Sequence, residues 1–181
     1  MHAIRIDRSK SLAEEPHCGH NRYHPDIAPV LEVGEGEEVV LETRDALDGQ
    51  IKPGMTVAEV GTTPNVIGSD LLALVGTGGR VISAPVDKVG VTKLEPASVD
   101  AVAVLSTLPV VLEPKTMFET IAKAVKPGGV MLVVDVPQEN DGKRVIGLEA
   151  EDVVKLATAA GFKREAESGI VPGHYAIRFR K

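Results

Sequence analysis

Tryptophan is absent from these 181 residues, tyrosine occurs twice and phenylalanine three times. With so few rings, a chain that is 43% hydrophobic must build its core from valine, leucine, isoleucine and alanine. Such a composition suits the near-continuous aliphatic strands of a parallel sheet. Cysteine occurs once, at Cys18, so no disulfide can close within the chain and a reducing compartment is the default expectation. A basic excess is missing as well. The net charge of −6 and pI near 5.4 argue against the positive face that a nucleic-acid partner requires. There is no long hydrophobic run: the longest, Val130–Val134, is far too short to span a bilayer. The charged opening Met1–Arg8 lacks the apolar stretch of a signal peptide. The composition therefore predicts a soluble cytoplasmic protein without a nucleic-acid or membrane partner.

The chain changes character near Gly49–Gly54. Before it lie all but one of the five histidines, with no helical period. Ile4–Ile6, Pro29–Val33 and Glu38–Thr43 read as short strands, and the acidic Gly34–Glu37 as a solvated turn. After it, strands and helices alternate. Strands are expected at Thr56–Val60, Arg80–Ala84, Asp100–Leu105 and Val130–Val136, and helices at Val66–Val75, Lys115–Val125 and Ala150–Ala160. The run Lys126-Pro127-Gly128-Gly129 reads as a helix stop, and Gly161 as a C-terminal cap. Lys163–Glu167 and Tyr175–Arg180 read as a closing antiparallel pair. Strands alternating with helices imply a doubly wound, mostly parallel α/β sheet. A small β segment precedes it.

Four stretches in order carry a family resemblance: Ile51–Gly61, Val75–Ile82, Ala97–Val102 and Ile121–Asp135, followed by Ala159–Phe162 and His174–Lys181. On them, residues 51–181 resemble a class I S-adenosylmethionine-dependent methyltransferase of Rossmann-like fold. The resemblance implies S-adenosylmethionine as cofactor and a small molecule as methyl acceptor. It also implies a cofactor loop over Glu59, Gly61, Thr62, Thr63 and Asn65, with Ser106 at the end of a neighbouring strand as a further contact. Glu59 reads equally as an acid left at a strand terminus, and Ser106 and Thr107 as caps of a turn. Asp135 carries the same two readings.

The chain departs from the family in three places. Thr63 and Asn65 replace loop glycines, whose missing side chains let backbone approach a ligand closely. Pro85 stands where the family keeps an acid for the ribose, leaving Asp87 as the nearest substitute. Only the interval from Pro85 to Val99 separates the second strand from the next. That interval is too short for the helix and strand the family places there, since one parallel crossover alone takes a dozen residues or more.

Residues 1–51 resemble another family, the acetamidase/formamidase amide hydrolases. The resemblance rests on Ser9–Pro16, Gly19–Ile27, Glu38–Ala46 and Asp48–Ile51. Within it, His17, Cys18, His20 and His24 fall in eight residues. They are either zinc ligands or parts of a hydrogen-bonded turn. The expected organisation is a β segment over residues 1–51 and a methyltransferase-like domain over 52–181. Three functions follow as expectations: methyl transfer, a non-catalytic scaffold or oligomerisation module (its exposed sheet covered by the N-terminal β segment or, in a homo-oligomer, by a second subunit), and amide hydrolysis or metal binding by the first fifty residues. No general base stands out; His174 reads as an edge-strand residue.

Overall fold

The computed structural model describes residues 2–5, 7, 29–41, 49–61, 67–140, 145–168 and 173–181. It divides into two compact units, Met1–Gln50 and Ile51–Lys181.

In the first unit, β1 (His2–Ile4) pairs in parallel with β2 (Val39–Leu41). The acidic stretch is a turn, closed by the Glu37 N–H donating to the Gly34 carbonyl, with the Glu37 carboxylate accepting from the Gly34 N–H. Residues 29–33 form no strand, contrary to the expectation for Pro29–Val33. Their apolar side chains are present, but Val30 and Val33 are exposed, so no buried face fixes a pairing.

The second unit is built on one six-stranded sheet. Its strands are β3 (Thr56–Gly61), β4 (Arg80–Pro85), β5 (Val99–Leu105), β6 (Val125–Asp135), β9 (Lys163–Ser168) and β10 (Tyr175–Arg180), in the order β4-β3-β5-β6-β10-β9. The first four run parallel, while β10 is antiparallel to both β6 and β9. A two-residue hairpin, β7 (Glu139–Asn140) with β8 (Val145–Ile146), stands apart from this sheet. β3 and β5 are buried along nearly their whole length, as central strands covered on both faces must be. Helix α1 (Gly68–Val75) packs Leu71 and Val75 inward. Helix α2 (Pro114–Ala124) opens on proline at its first position, where the missing N–H costs nothing. It buries Met117, Phe118 and Ile121. Helix α3 (Ala150–Ala159) buries Val153 and Ala157 and is followed by Gly161 at φ 101°.

The main core lies between the sheet and the α2 and α3 helices. It holds Val60, Val102, Val104, Met131 and Ile177 from the strands. All three phenylalanines, Phe118, Phe162 and Phe179, are at most 1% exposed. Each contributes roughly 2–3 kcal/mol of burial.

The Lys126–Gly129 run follows the end of α2, as expected of a helix stop, and it also belongs to the next strand, which begins before Val130. Helix α2 passes directly into the eleven-residue β6, which starts at Val125. The Gly128 N–H donates to the Lys181 carbonyl and the Lys181 N–H to the Gly129 carbonyl, so β10 holds this segment as sheet. No helix among the described residues is long and apolar enough to cross a membrane.

Between β4 and β5 there is neither helix nor strand. Residues 86–98 connect them directly, with one bridge between Val86 and Thr92. The link has a reach of about 45 Å when fully extended. Roughly 20 Å of that goes on returning along a six-residue strand.

Candidate functional site

The carboxyl ends of β3, β4, β5 and β6 form one edge of the sheet, where open α/β sheets place ligands. Glu59 is 2% exposed near the end of β3, and its Oε1 accepts from the Ile67 N–H at 3.2 Å. Ile67 is the residue that caps α1, so the carboxylate sits at the positive end of that helix. Gly61 is the last residue of β3, buried and in register with Pro85, rather than the first residue of a turn. Its carbonyl accepts from the Val86 N–H at 3.2 Å. Thr62, Thr63 and Asn65 lie outside the described residues, as do His17, Cys18, His20 and His24. Among the described residues no three His, Cys, Asp or Glu side chains converge as a metal site would need.

At the end of β5 the two adjacent hydroxyls diverge. Ser106 has φ 45° and is exposed, its N–H donating to the Val134 carbonyl at 2.9 Å. That left-handed backbone turns Thr107 inward, where it is fully buried. The Thr107 hydroxyl donates to the Leu105 carbonyl at 2.8 Å, with the Val60 carbonyl at 3.4 Å as a more distant second acceptor. Asp135 ends β6 and is also fully buried. Its Oδ2 accepts from the Thr107 and Leu108 N–H groups at 2.8 and 2.9 Å, and its Oδ1 from the Val136 N–H at 2.9 Å. The β3, β5 and β6 ends are thus tied together by Thr107 and Asp135. Opposite Asp135 in the β10 ladder is Tyr175, whose buried hydroxyl has no hydrogen-bond partner among the described residues. Burial, followed by the negative charges of Asp135 and Glu149, pushes this phenol well above its ordinary range.

Asp87 lies two residues past β4, in a tight turn. Its Oδ1 accepts from the Val89 and Val91 N–H groups at 3.0 and 2.8 Å, and its own N–H donates to the Val91 carbonyl at 3.2 Å. This is the turn chemistry of aspartate. One oxygen of the carboxylate, Oδ1, thus holds both backbone donors of the turn.

Residue order pointed to the strand ends but not to the Thr107–Asp135 tie or to Tyr175. A threonine just after a buried strand, with an acid ending the next strand, was the available signal for the tie. Tyr175 carried none, since its burial depends on β10 inserting between β6 and β9. A separate open depression of about 350 Å³ lies between α2 and α3, lined by Glu119, Lys123, Ala160 and Lys181 among others. The Lys181 ammonium there donates to the Ala122 and Val125 carbonyls at the end of α2, so it serves as a helix cap.

Residues 5–66 match the model of the Acetamidase/Formamidase family. The match runs past Gln50 through β3, so it overlaps the start of the α/β unit. An acetamidase of Mycolicibacterium smegmatis is 44% identical over 46 residues, which are 25% of this chain and 11% of that protein. The matched segment is therefore about a tenth of that relative's length.

Solved structures match a larger share of the chain. A SAM-dependent methyltransferase from Aquifex aeolicus superposes with a TM-score of 0.60 at 18% identity, covering 72% of this chain and 84% of the other. The [4+2]-cyclase SpnF superposes with a TM-score of 0.54 at 16% identity, covering 72% and 76%. At these identities the likeness establishes the fold. The sheet is a mostly parallel, Rossmann-like methyltransferase fold, shortened between β4 and β5, and a two-stranded sheet stands in the first unit.

Proposed function

We propose that the α/β unit is a methyltransferase fold retained as a non-catalytic binding and oligomerisation scaffold. The observation that carries this is the direct link over residues 86–98, which leaves no helix–strand unit to wall an adenosine on that side of β4. Two neighbouring features agree. Pro85 offers no carboxylate at the end of β4, and the Asp87 carboxylate is engaged in its own turn. The residues around β4 therefore do not fit the ribose and adenine of S-adenosylmethionine. Fold likeness alone does not supply methyl transfer, since a [4+2]-cyclase shares the architecture.

A second reading, S-adenosylmethionine-dependent transfer to a small molecule, draws on Glu59. Its buried carboxylate is kept at the start of α1, on the side where the methionine end of the cofactor would lie. Amide hydrolysis draws only on the short acetamidase-like segment. Calorimetric titration of the full chain with S-adenosylmethionine and with S-adenosylhomocysteine separates the first two readings. The scaffold predicts no heat at high micromolar ligand. Saturable binding at low micromolar concentration would overturn it and return the chain to the enzymes.

A further inference from the structure

We propose that the outer edge of β4, which has no neighbouring strand among the described residues, pairs antiparallel with β4 of a second copy, across a two-fold axis at Ile82. The partner strand then fills the place left open by the short link.

The hydrogen-bond parity of β4 defines the edge. The Arg80 N–H donates to the Met55 carbonyl and the Val86 N–H to the Gly61 carbonyl, in a continuous parallel register with β3. Even-numbered residues of β4 therefore bond inward to β3, and odd-numbered residues turn their N–H and C=O outward. Asp87 follows the same parity: its N–H faces outward and is taken by Val91. The turn thus closes the top of the edge and leaves Val81 and Ser83 below it, where β4 has no neighbouring strand among the described residues.

The two sheet edges are treated differently. At the far edge, β9 opens with Lys163, Arg164 and Glu165, and its pairing with β10 is broken by a register shift. Charges and bulges of this kind block edge-to-edge association. β4 has neither along Val81-Ile82-Ser83-Ala84. Its one charged residue, Arg80, stands at the end of the strand.

A two-fold axis at Ile82 makes this edge self-complementary. Val81 faces Ser83 of the second copy and Ser83 faces Val81. These two narrow pairs use all four outward N–H groups and all four carbonyls, without calling on Pro85, which lacks a donor. Arg80 comes opposite Ala84, so the two arginines are kept at opposite ends. The same axis brings α1 towards its counterpart, and α1 presents Leu72 at 54% exposure. Leu72 extends the contact beyond the strand.

This pairing rests on the scaffold reading for its purpose but has a readout of its own. Sedimentation equilibrium of the full chain is expected to show a dimer. Ser83→Pro removes an outward donor while leaving the β3 ladder intact, so the sheet tolerates it. Each lost hydrogen bond weakens association roughly fivefold, and the two lost per dimer give roughly 25-fold weaker pairing. Independently, Ile82→Cys in a Cys18→Ser background is expected to oxidise to a disulfide-linked dimer. Facing residues at a non-hydrogen-bonded pair have Cα atoms about 4.5 Å apart, within disulfide reach. A monomeric wild type overturns the proposal. So does a dimer that is indifferent to Ser83→Pro and yields no cross-link at position 82. Neither outcome bears on the cofactor titration.

Discussion

Gly90→Ala tests whether the short link is truly seated on α2. Gly90 has φ +93°, and a Cβ there would meet the Glu113 carbonyl at 2.8 Å and the Met117 N at 3.0 Å. The Thr120 hydroxyl contacts its carbonyl at 3.3 Å, and the Leu112 N–H donates to the neighbouring Lys88 carbonyl at 2.8 Å. Alanine pays for the left-handed backbone, about 1–2 kcal/mol. It must also push the link off the first turn of α2, at a cost of about 1–3 kcal/mol for overpacking. Gly54→Ala is the matched control. Its φ of +87° carries the same backbone strain, but its Cβ would meet nothing within 4 Å. Urea unfolding followed by circular dichroism, with the slope unchanged, gives both free energies. Gly90→Ala should cost about 2–5 kcal/mol and Gly54→Ala about 1–2. Both glycines lie in the second unit, so any contribution from the first cancels in the difference. Equal costs would refute the seating of residues 86–98 on α2.

Two further outcomes follow from named groups. Tyr175→Phe removes a buried hydroxyl that has no partner among the described residues, so stability should hold or rise by up to about 1 kcal/mol; a loss of that size would show that the hydroxyl is hydrogen-bonded. Burial pushes the Asp100 carboxyl up, but its ion pair with Lys126 at 2.7 Å and the Thr56 N–H at 2.8 Å outweigh that and hold it below its ordinary value. A carboxyl depressed in the folded state stabilises the fold above its unfolded value, and that contribution drains away as pH falls through the folded one. Stability should therefore drop below about pH 4, and Lys126→Met should lower stability at neutral pH and flatten that acid slope. An unchanged slope in Lys126→Met would sink the assignment.

The legible parts of this molecule were those fixed by burial on two faces or by a helical stripe. β5 and the middle of β6 are aliphatic because both faces are covered, and α2 shows Met117 and Ile121 at one helical turn's spacing. Local composition was silent where long-range pairing decided the outcome. Lys126–Gly129 stops α2 at Ala124 as its composition indicates, yet β10 also draws it into the sheet, and Pro29–Val33 has strand residues with Val30 and Val33 exposed. Neighbouring hydroxyls could not be ranked from position, because the inward turn of Thr107 depends on the left-handed φ of Ser106. The nearest acid after β4 was readable as Asp87, but not its engagement with Val89 and Val91.

Chain length was a firmer guide than any of these residues. The interval between Pro85 and Val99 limits what can fold there, whatever its composition. One consequence is that residues 86–98 supply no helix or strand beside β4 to wall an adenosine. Another is the open edge at Val81 and Ser83. The two are linked in origin, because a single helix–strand unit would have supplied both the wall and the neighbouring strand. They are separable in experiment, because cofactor binding reads the carboxyl ends of β3 and β5 while self-association reads the side of β4. A chain that dimerises through β4 and also binds S-adenosylmethionine would show that a second copy can replace the missing wall. A dimer without binding would show that it replaces only the missing strand.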